Sequence, residues 1–276
     1  MKGLHERIME ELKNKIDRDI LQKIPRRIPI IGGVAILSWD PKLMNYAKDV
    51  GSALLKHIPN VRSVWIRVRT IGIKREPQMI HVAGDKNPVV IHKELRTFFK
   101  LDISRITFSP GNTGERARLL KLVKGKILDM FACVGNLSMP LAVHGFLVYM
   151  IEINPLAYKY LLETIRLNKV ERNVVPMFID NHYLDLKDMF DHVLMGFLPE
   201  PDIEQLAIAI NAVKKRGGWI HYHCVARRDK VLQKVSEVKE MTQSLGANIE
   251  KLMWRKVKGV APNVWHIVIR MYVRRR

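Results

Sequence analysis

Cysteine is scarce in this chain: Cys133 and Cys224 are the only two in 276 residues, and they stand about ninety positions apart in apolar segments. Such a pair makes neither a disulfide framework nor a metal-ligand pattern, so both are expected to be reduced. Long apolar runs are missing too. The longest, such as PIIGGVAIL and VWHIVI, fall far short of the roughly 20 residues a membrane helix needs, which excludes a spanning segment. The opening stretch MKGLHERIMEELKNKIDRDILQKI carries charges at helical spacing and no apolar stretch before a cleavage site, so no secretory leader is expected and a cytoplasmic protein is. Neither an internal repeat nor a low-complexity linker interrupts the chain.

Acidic residues are in deficit. Lys and Arg total 47 against 27 Asp and Glu, giving a net charge of +20 and an isoelectric point near 10.1. An excess of this size suits a polyanionic partner, because each phosphate contact releases counterions and steers the encounter. A nucleic acid is therefore expected, of a kind that charge alone does not specify; no membrane and no obligate protein partner is. The basic stripes RVRTIGIKREP, ARRDK and the terminal RRR are either solvated faces or tracks for phosphates. His221, His223 and Cys224 sit together in an apolar run beside Tyr222 without paired-cysteine spacing, so no metal is expected.

Periodicity divides the chain. Leu4, Ile8, Leu12, Ile16, Ile20 and Leu21 recur about every four positions, which predicts one amphipathic helix from Lys2 to Ile24, before Pro25. From Arg26 to about Lys100, the β-rich runs IPIIGGVAILSW, SVWIRVRT, MIHVAG and PVVIHK enclose one helical segment, PKLMNYAKDVGSALLKHI; this is a small α/β module. The expected domains are 1–100 and 101–276. In the second, strands at 127–132, 147–153, 174–180, 192–198 and 219–225 alternate with helices, and two β segments close the sequence. Near-continuous apolar strands are those buried on both faces, so a mostly parallel, doubly wound Rossmann-type sheet is predicted, with an antiparallel hairpin at one edge.

The stretch KILDMFACVGNLSMP, residues 126–140, reads as a strand, a glycine-bearing turn and a helix. In such sheets ligands bind beyond the carboxyl ends of the strands, where strand order reverses. Glu152, ending the second strand about twenty residues after the turn, is placed to accept hydrogen bonds from ribose hydroxyls. Dinucleotide folds approach a pyrophosphate with three glycines, whereas this turn has Gly135 and no phosphate-gripping lysine. A nucleoside without phosphates, such as S-adenosylmethionine, is the better fit. Asp180 and Asn181, at the end of the third strand, offer an acceptor and an amide for an adenine edge. Asp129 either caps the turn or bonds the ligand's amino group.

DMFACVGNLSMP, IEINPLAYKYLLETIRLNKV, DNHYLD and the upstream FSPGNTGERARL together resemble the archaeal family that contains tRNA guanosine-37 N1-methyltransferases and homologues of tRNA wybutosine-synthesising protein 2. The similarity runs from about Leu101 to the C-terminus, and the small α/β module before it is also of the family's type. After the fourth strand the methyltransferases carry an asparagine-containing loop, where this chain has MGFLPEP, similar to the wybutosine branch, as are IHYH and VWHIV in its late strands. The resemblance implies a class I methyltransferase-like fold. It also implies transfer of the 3-amino-3-carboxypropyl group of S-adenosylmethionine to C7 of 4-demethylwyosine at position 37 of tRNA(Phe). N1-methylation of guanosine 37 is the alternative, and a non-catalytic RNA-binding scaffold the third. By the same resemblance, Ser109 and Arg116 lie near the transferred arm and its carboxylate, Glu152 holds the ribose, and Asp180 with Asn181 meets the adenine. Phe108 stacks on a base or belongs to the core, and no general base is identified. One departure is visible: Cys133 stands where the family's Ala-Gly-x-Gly turn has glycine, which is strained if that position needs positive φ.

Overall fold

The computed structural model describes residues 3–38, 40–72 and 75–275. Lys2, Trp39, Ile73, Lys74 and Arg276, into which the expected first helix, the first β run and two basic stripes extend, lie outside them. The chain divides into two compact units, Met1–Lys93 with Phe99–Pro110, and Glu94–Phe98 with Gly111–Arg276.

The first unit opens with α1 (Leu4–Leu12) and α2 (Arg18–Leu21), so the single predicted helix is interrupted. Asn14 and Asp17 fall in the break, and such side chains compete for backbone hydrogen bonds; Asp17 takes the N-cap position of α2. The apolar rhythm survives the break, because Ile8, Leu12, Ile16, Leu21 and Ile24 all enter one buried cluster. The strands β1 (Ile30–Ile31) and β2 (Val34–Ser38) are followed by α3 (Pro41–Met44) and α4 (Ala47–His57), then β3 (Ser63–Ile71) and β4 (Glu76–Gly84). The predicted crossover helix is thus also split, with Asp40 capping its first piece by accepting from Lys42 N at 2.8 Å. That crossover joins β2 to the parallel β3, while β1 and β4 add antiparallel edges. A separate hairpin pairs β5 (Val89–Glu94) with β6 (Thr97–Asp102). The second of these was not anticipated, although Thr97, Phe99 and Leu101 are buried in strict alternation with half-exposed neighbours.

The second unit continues with α5 (Thr113–Leu122), β7 (Ile127–Asp129), α6 (Met139–Val143), β8 (Val148–Glu152), α7 (Pro155–Asn168), β9 (Val174–Phe178) and β10 (His192–Met195). It ends with α8 (Ile203–Ala212), β11 (Gly218–Arg227), α9 (Val231–Ser244), β12 (Ala247–Ala261) and β13 (Val264–Arg275). These strands form one seven-stranded sheet in the order β12-β13-β11-β10-β7-β8-β9. From β11 to β9 all neighbours are parallel, and β13 runs antiparallel to both β11 and β12. The doubly wound sheet and its terminal antiparallel hairpin are as predicted. Side chains of α8 and α9, such as Leu206, Ile210, Val235 and Val238, bury one face together with Tyr222, Cys224, Ile267 and Ile269. The chain runs outward from β7 through β8 to β9, then returns to β10 on the other side of β7. Strand order therefore reverses between β7 and β10, the position at which open α/β sheets hold their ligands.

Candidate functional site

At the reversal point Asp129 ends β7 with its side chain fully buried. Its Oδ1 accepts from Phe131 N at 3.1 Å, so it does cap the turn. Its Oδ2 has no partner in hydrogen-bonding geometry, although the buried Ser138 hydroxyl faces the carboxylate. Burial pushes this acid up to about 6, against the opposing pull of Ser138 and the Phe131 amide.

The turn after Asp129 is fixed by backbone bonds on both sides. Met130 N donates to Leu194 O at 3.0 Å and Ala132 N to Ile151 O at 2.9 Å, fastening the loop to the neighbouring strands β10 and β8. Gly135 N and Asn136 N then both donate to Ala132 O, at 2.7 and 2.9 Å. Gly135 has φ +86°, and a Cβ there would lie 2.7 Å from Met139 Cβ, so glycine is required twice over. Cys133 adopts φ +53° with a side chain present, and is therefore strained. Its N–H donates to Glu152 Oε2 at 2.7 Å, and Asn154 N donates to Glu152 Oε1 at 2.6 Å. Glu152 thus joins the turn to the start of α7, and its remaining lone pairs are available to a ligand. Burial raises this acid as well, despite the two amides that favour its ionised form. The Cys133 thiol is pushed far up by burial and by the Glu152 charge, so it is no nucleophile.

The third strand end is built differently. Asp180 Oδ1 accepts from His182 N at 3.0 Å and meets His182 Nδ1 at 2.7 Å, while His182 Nε2 meets Asp202 Oδ2 at 2.8 Å. Asp202 is the N-cap of α8: its Oδ1 accepts from Gln205 N at 2.9 Å, and Gln205 Oε1 accepts from Asp202 N at 3.0 Å. Asn181 is turned inward, donating to Met130 O at 2.8 Å and accepting from Gln205 Nε2 at 2.9 Å. The side-chain amide expected at an adenine edge is engaged here in tying the β7 turn to α8.

Arg116 is fully buried in an ion pair with Glu94, and its Nη1 donates to Asn136 O at 2.9 Å. Glu94 accepts from Thr113 Oγ1 as well, at 2.8 Å. A buried guanidinium needs such partners, and here they brace the turn from behind α5. Ser109 is half buried in the 99–110 segment that groups with the first unit. Phe108 is core: it is buried against Phe99 and His92, with centroids 5.0 and 5.3 Å away.

Asp129, Gly135, Glu152, Asp180 and Asn181 all lie at the carboxyl ends of β7, β8 and β9, joined through the turn. Sequence reasoning missed His182, Asp202, Gln205 and Glu94, whose roles depend on pairings across 20 or more positions. It also missed the stacked rings of Phe131 and Phe197, 5.2 Å apart at the ends of β7 and β10. One signal was readable, since Asp202 followed three residues later by Gln205 is a capping box. Among the described residues no three His, Cys, Asp or Glu side chains gather as metal ligands, and no helix is long and apolar enough to cross a membrane.

Residues 90–250 match the family model described as TRM5/TYW2 methyltransferase domain, and residues 8–87 match one described as TYW2 N-terminal domain. The tRNA(Phe) (4-demethylwyosine(37)-C(7)) aminocarboxypropyltransferase of Pyrococcus horikoshii is 33% identical over 275 residues, covering 98% of this chain and 98% of its own. The tRNA (guanine(37)-N(1))-methyltransferase Trm5b of Pyrococcus abyssi is 34% identical over 258 residues, covering 92% of this chain and 77% of its own. The crystal structure of P. horikoshii TYW2 in complex with MeSAdo superposes with a TM-score of 0.81 at 32% identity, covering 99% of this chain and all of the other.

Proposed function

The chain belongs to the TRM5/TYW2 methyltransferase-domain family, and from that premise we propose that it transfers the 3-amino-3-carboxypropyl group of S-adenosylmethionine to C7 of 4-demethylwyosine at position 37 of tRNA(Phe). One observation carries the choice of arm over methyl: similarity to an aminocarboxypropyltransferase extends through 98% of both chains, and the first 87 residues include a TYW2-type N-terminal domain. The +20 charge agrees with a tRNA partner, and the cytoplasm is the compartment in which we expect the reaction.

The residues at the strand ends fit the co-substrate. Asp129 offers a buried carboxylate oxygen that lacks a partner, which is what an ammonium group on the ligand's amino-acid arm would satisfy. Glu152, already oriented by two backbone amides, would accept from ribose hydroxyls, and Asp180 would face the adenine side. Arg116 acts through the turn it braces, and Ser109 is assigned to the arm on resemblance alone. Bound S-adenosylmethionine supplies a carbon activated by a sulfonium leaving group, released as methylthioadenosine when the arm is transferred. The chain's part is to hold one of three activated carbons in line with the base, since orientation can shift barriers by several kcal/mol. No side chain in the crevice is assigned as general base.

Methyl transfer to guanosine 37 is the second reading, favoured by the similarity to Trm5b. Incubation of two tRNAs, one carrying 4-demethylwyosine and one carrying unmodified guanosine at position 37, with S-adenosylmethionine labelled separately in the methyl and the carboxyl carbon decides between them. Carboxyl label in tRNA is expected; methyl label alone would overturn the assignment.

A further inference from the structure

His182 stands between two carboxylates on two different elements, and both ring nitrogens are used: Nδ1 lies 2.7 Å from Asp180 and Nε2 lies 2.8 Å from Asp202. A neutral imidazole has one N–H, so it can donate to one of these oxygens only, and the other contact becomes lone pair against lone pair. Only the imidazolium satisfies both. Among the described residues no third charged group lies within ion-pair distance of the ring.

This bridge has a neutral counterpart. Gln205 Nε2 donates to Asn181 Oδ1 at 2.9 Å, so the loop after β9 is joined to α8 by one amide strut and one charged strut. A surface histidine between acids is often no more than a solvated ion pair. Here, however, Asp202 is also the N-cap of α8, and Asp180 sits at the strand end assigned to the adenine side. The charged strut therefore spans the rim of the crevice.

We propose that His182 is a positioning residue, whose imidazolium fastens Asp180 to the N-terminus of α8 and thereby holds the rim in the shape that receives the adenosine half of the co-substrate. This rests on the reading of the crevice as an S-adenosylmethionine site. The two flanking acids hold the His182 pKa above its ordinary value in spite of partial desolvation, and the pull of His182 holds Asp180 below the usual carboxylate range. For a base with a raised folded-state pKa, the favourable contribution is complete below the unfolded value and is lost as pH rises through the folded one. Rim closure thus weakens on the alkaline side.

The test titrates the full chain calorimetrically with 5′-methylthioadenosine, which lacks the amino-acid arm and so does not itself titrate in this range. Affinity is expected to fall about fivefold as the pH is raised from neutral into the alkaline range and His182 loses its proton. Asp202→Asn is expected to remove that fall and keep affinity near wild type at the lower pH. Asparagine is an equally good N-cap, and its amide can donate to the lone pair of a neutral ring. The His182 pKa, followed by NMR, should drop in the same variant. A flat wild-type profile with normal binding, or an unchanged slope in Asp202→Asn, overturns the proposal. If neither methylthioadenosine nor S-adenosylmethionine binds wild type at any pH, the site reading itself fails and takes this inference with it.

Discussion

At the carboxyl ends of β7 and β8, Asp129 and Glu152 are acids held by backbone amides where strand order reverses, whereas one face of β10, β11 and β13 carries four buried histidines in two ring-to-ring pairs. His192 Nδ1 lies 3.0 Å from His221 Nε2, and His223 Nδ1 lies 2.8 Å from His266 Nε2. His192 Nε2 accepts from Lys124 N at 3.3 Å, which fixes its proton on Nδ1, facing His221. Burial acts on both regions alike, disfavouring charge. It lifts Asp129 to about 6 and lowers His192 to about 4 and His223 to about 3, helped in the histidines by the nearby Arg270 and Arg118. Both regions keep unsatisfied atoms, Oδ2 of Asp129 at the strand end and His221 Nδ1 and His223 Nε2 within the sheet. The difference lies in place: the histidines face one another inside the sheet, while Asp129 ends a strand where strand order reverses. Burial of polar groups alone does not mark a site.

The comparison is broken most severely by acid. Because the folded histidines stay neutral, the unfolded chain takes up protons that the fold refuses once pH falls below about 6.5. Asp129 contributes with the opposite sign, since its raised pKa favours the fold as pH drops through about 6. Three histidines are depressed against two raised acids, Asp129 and Glu152, so they prevail. Urea unfolding is expected to show stability falling by several kcal/mol, roughly 4, between about pH 6.5 and about pH 4.5. A curve that is level across that range would mean that the histidine layer is hydrated or already charged.

Substitution sharpens the contrast. Glu152→Ala removes the acceptor of the Cys133 and Asn154 amides as well as the proposed ribose acceptor, and is expected to weaken S-adenosylmethionine about 100-fold or more, near 3 kcal/mol. His223→Leu should leave that affinity unchanged and cost about 1–3 kcal/mol of stability, because the buried hydrogen bond between His223 and His266 is lost. Replacing both histidines by leucine should cost less than the single change. If His223→Leu weakened ligand binding tenfold, the two regions would be coupled and the division drawn between them would be wrong.

How far these regions could be read from sequence follows from the range of the interactions that build them. The apolar strands and their helices were legible because burial on both faces leaves a local signature, as in HVLM of β10, every residue of which is buried. The positions of the strand-end acids were legible because the topology puts the carboxyl end of each parallel strand on the same side. What escaped depends on partners far away in the chain. Nothing local says that Arg116 will be consumed by Glu94, or that Asn181 will face Met130 rather than solvent. The break in the first helix and the alternating TFFKLD were both written locally, but a strong four-residue rhythm and a short segment length hid them.

Cys133 offers the finest test, because it lies in the crevice region and yet its ligand-facing chemistry is all backbone. At φ +53° a side chain costs about 1–2 kcal/mol, which Cys133→Gly would relieve. Glycine also gives the unfolded chain more freedom, returning about 0.5–1 kcal/mol of that gain, so a net stabilisation of about 0.5 kcal/mol is expected in thermal unfolding. The N–H that reaches Glu152 is unchanged by the substitution, and S-adenosylmethionine affinity should move less than about threefold. A hundredfold gain would mean that the Cys133 side chain stands in the ligand's path, in which case the ligand would lie against Cβ of the turn and not along the amides and acids that flank it.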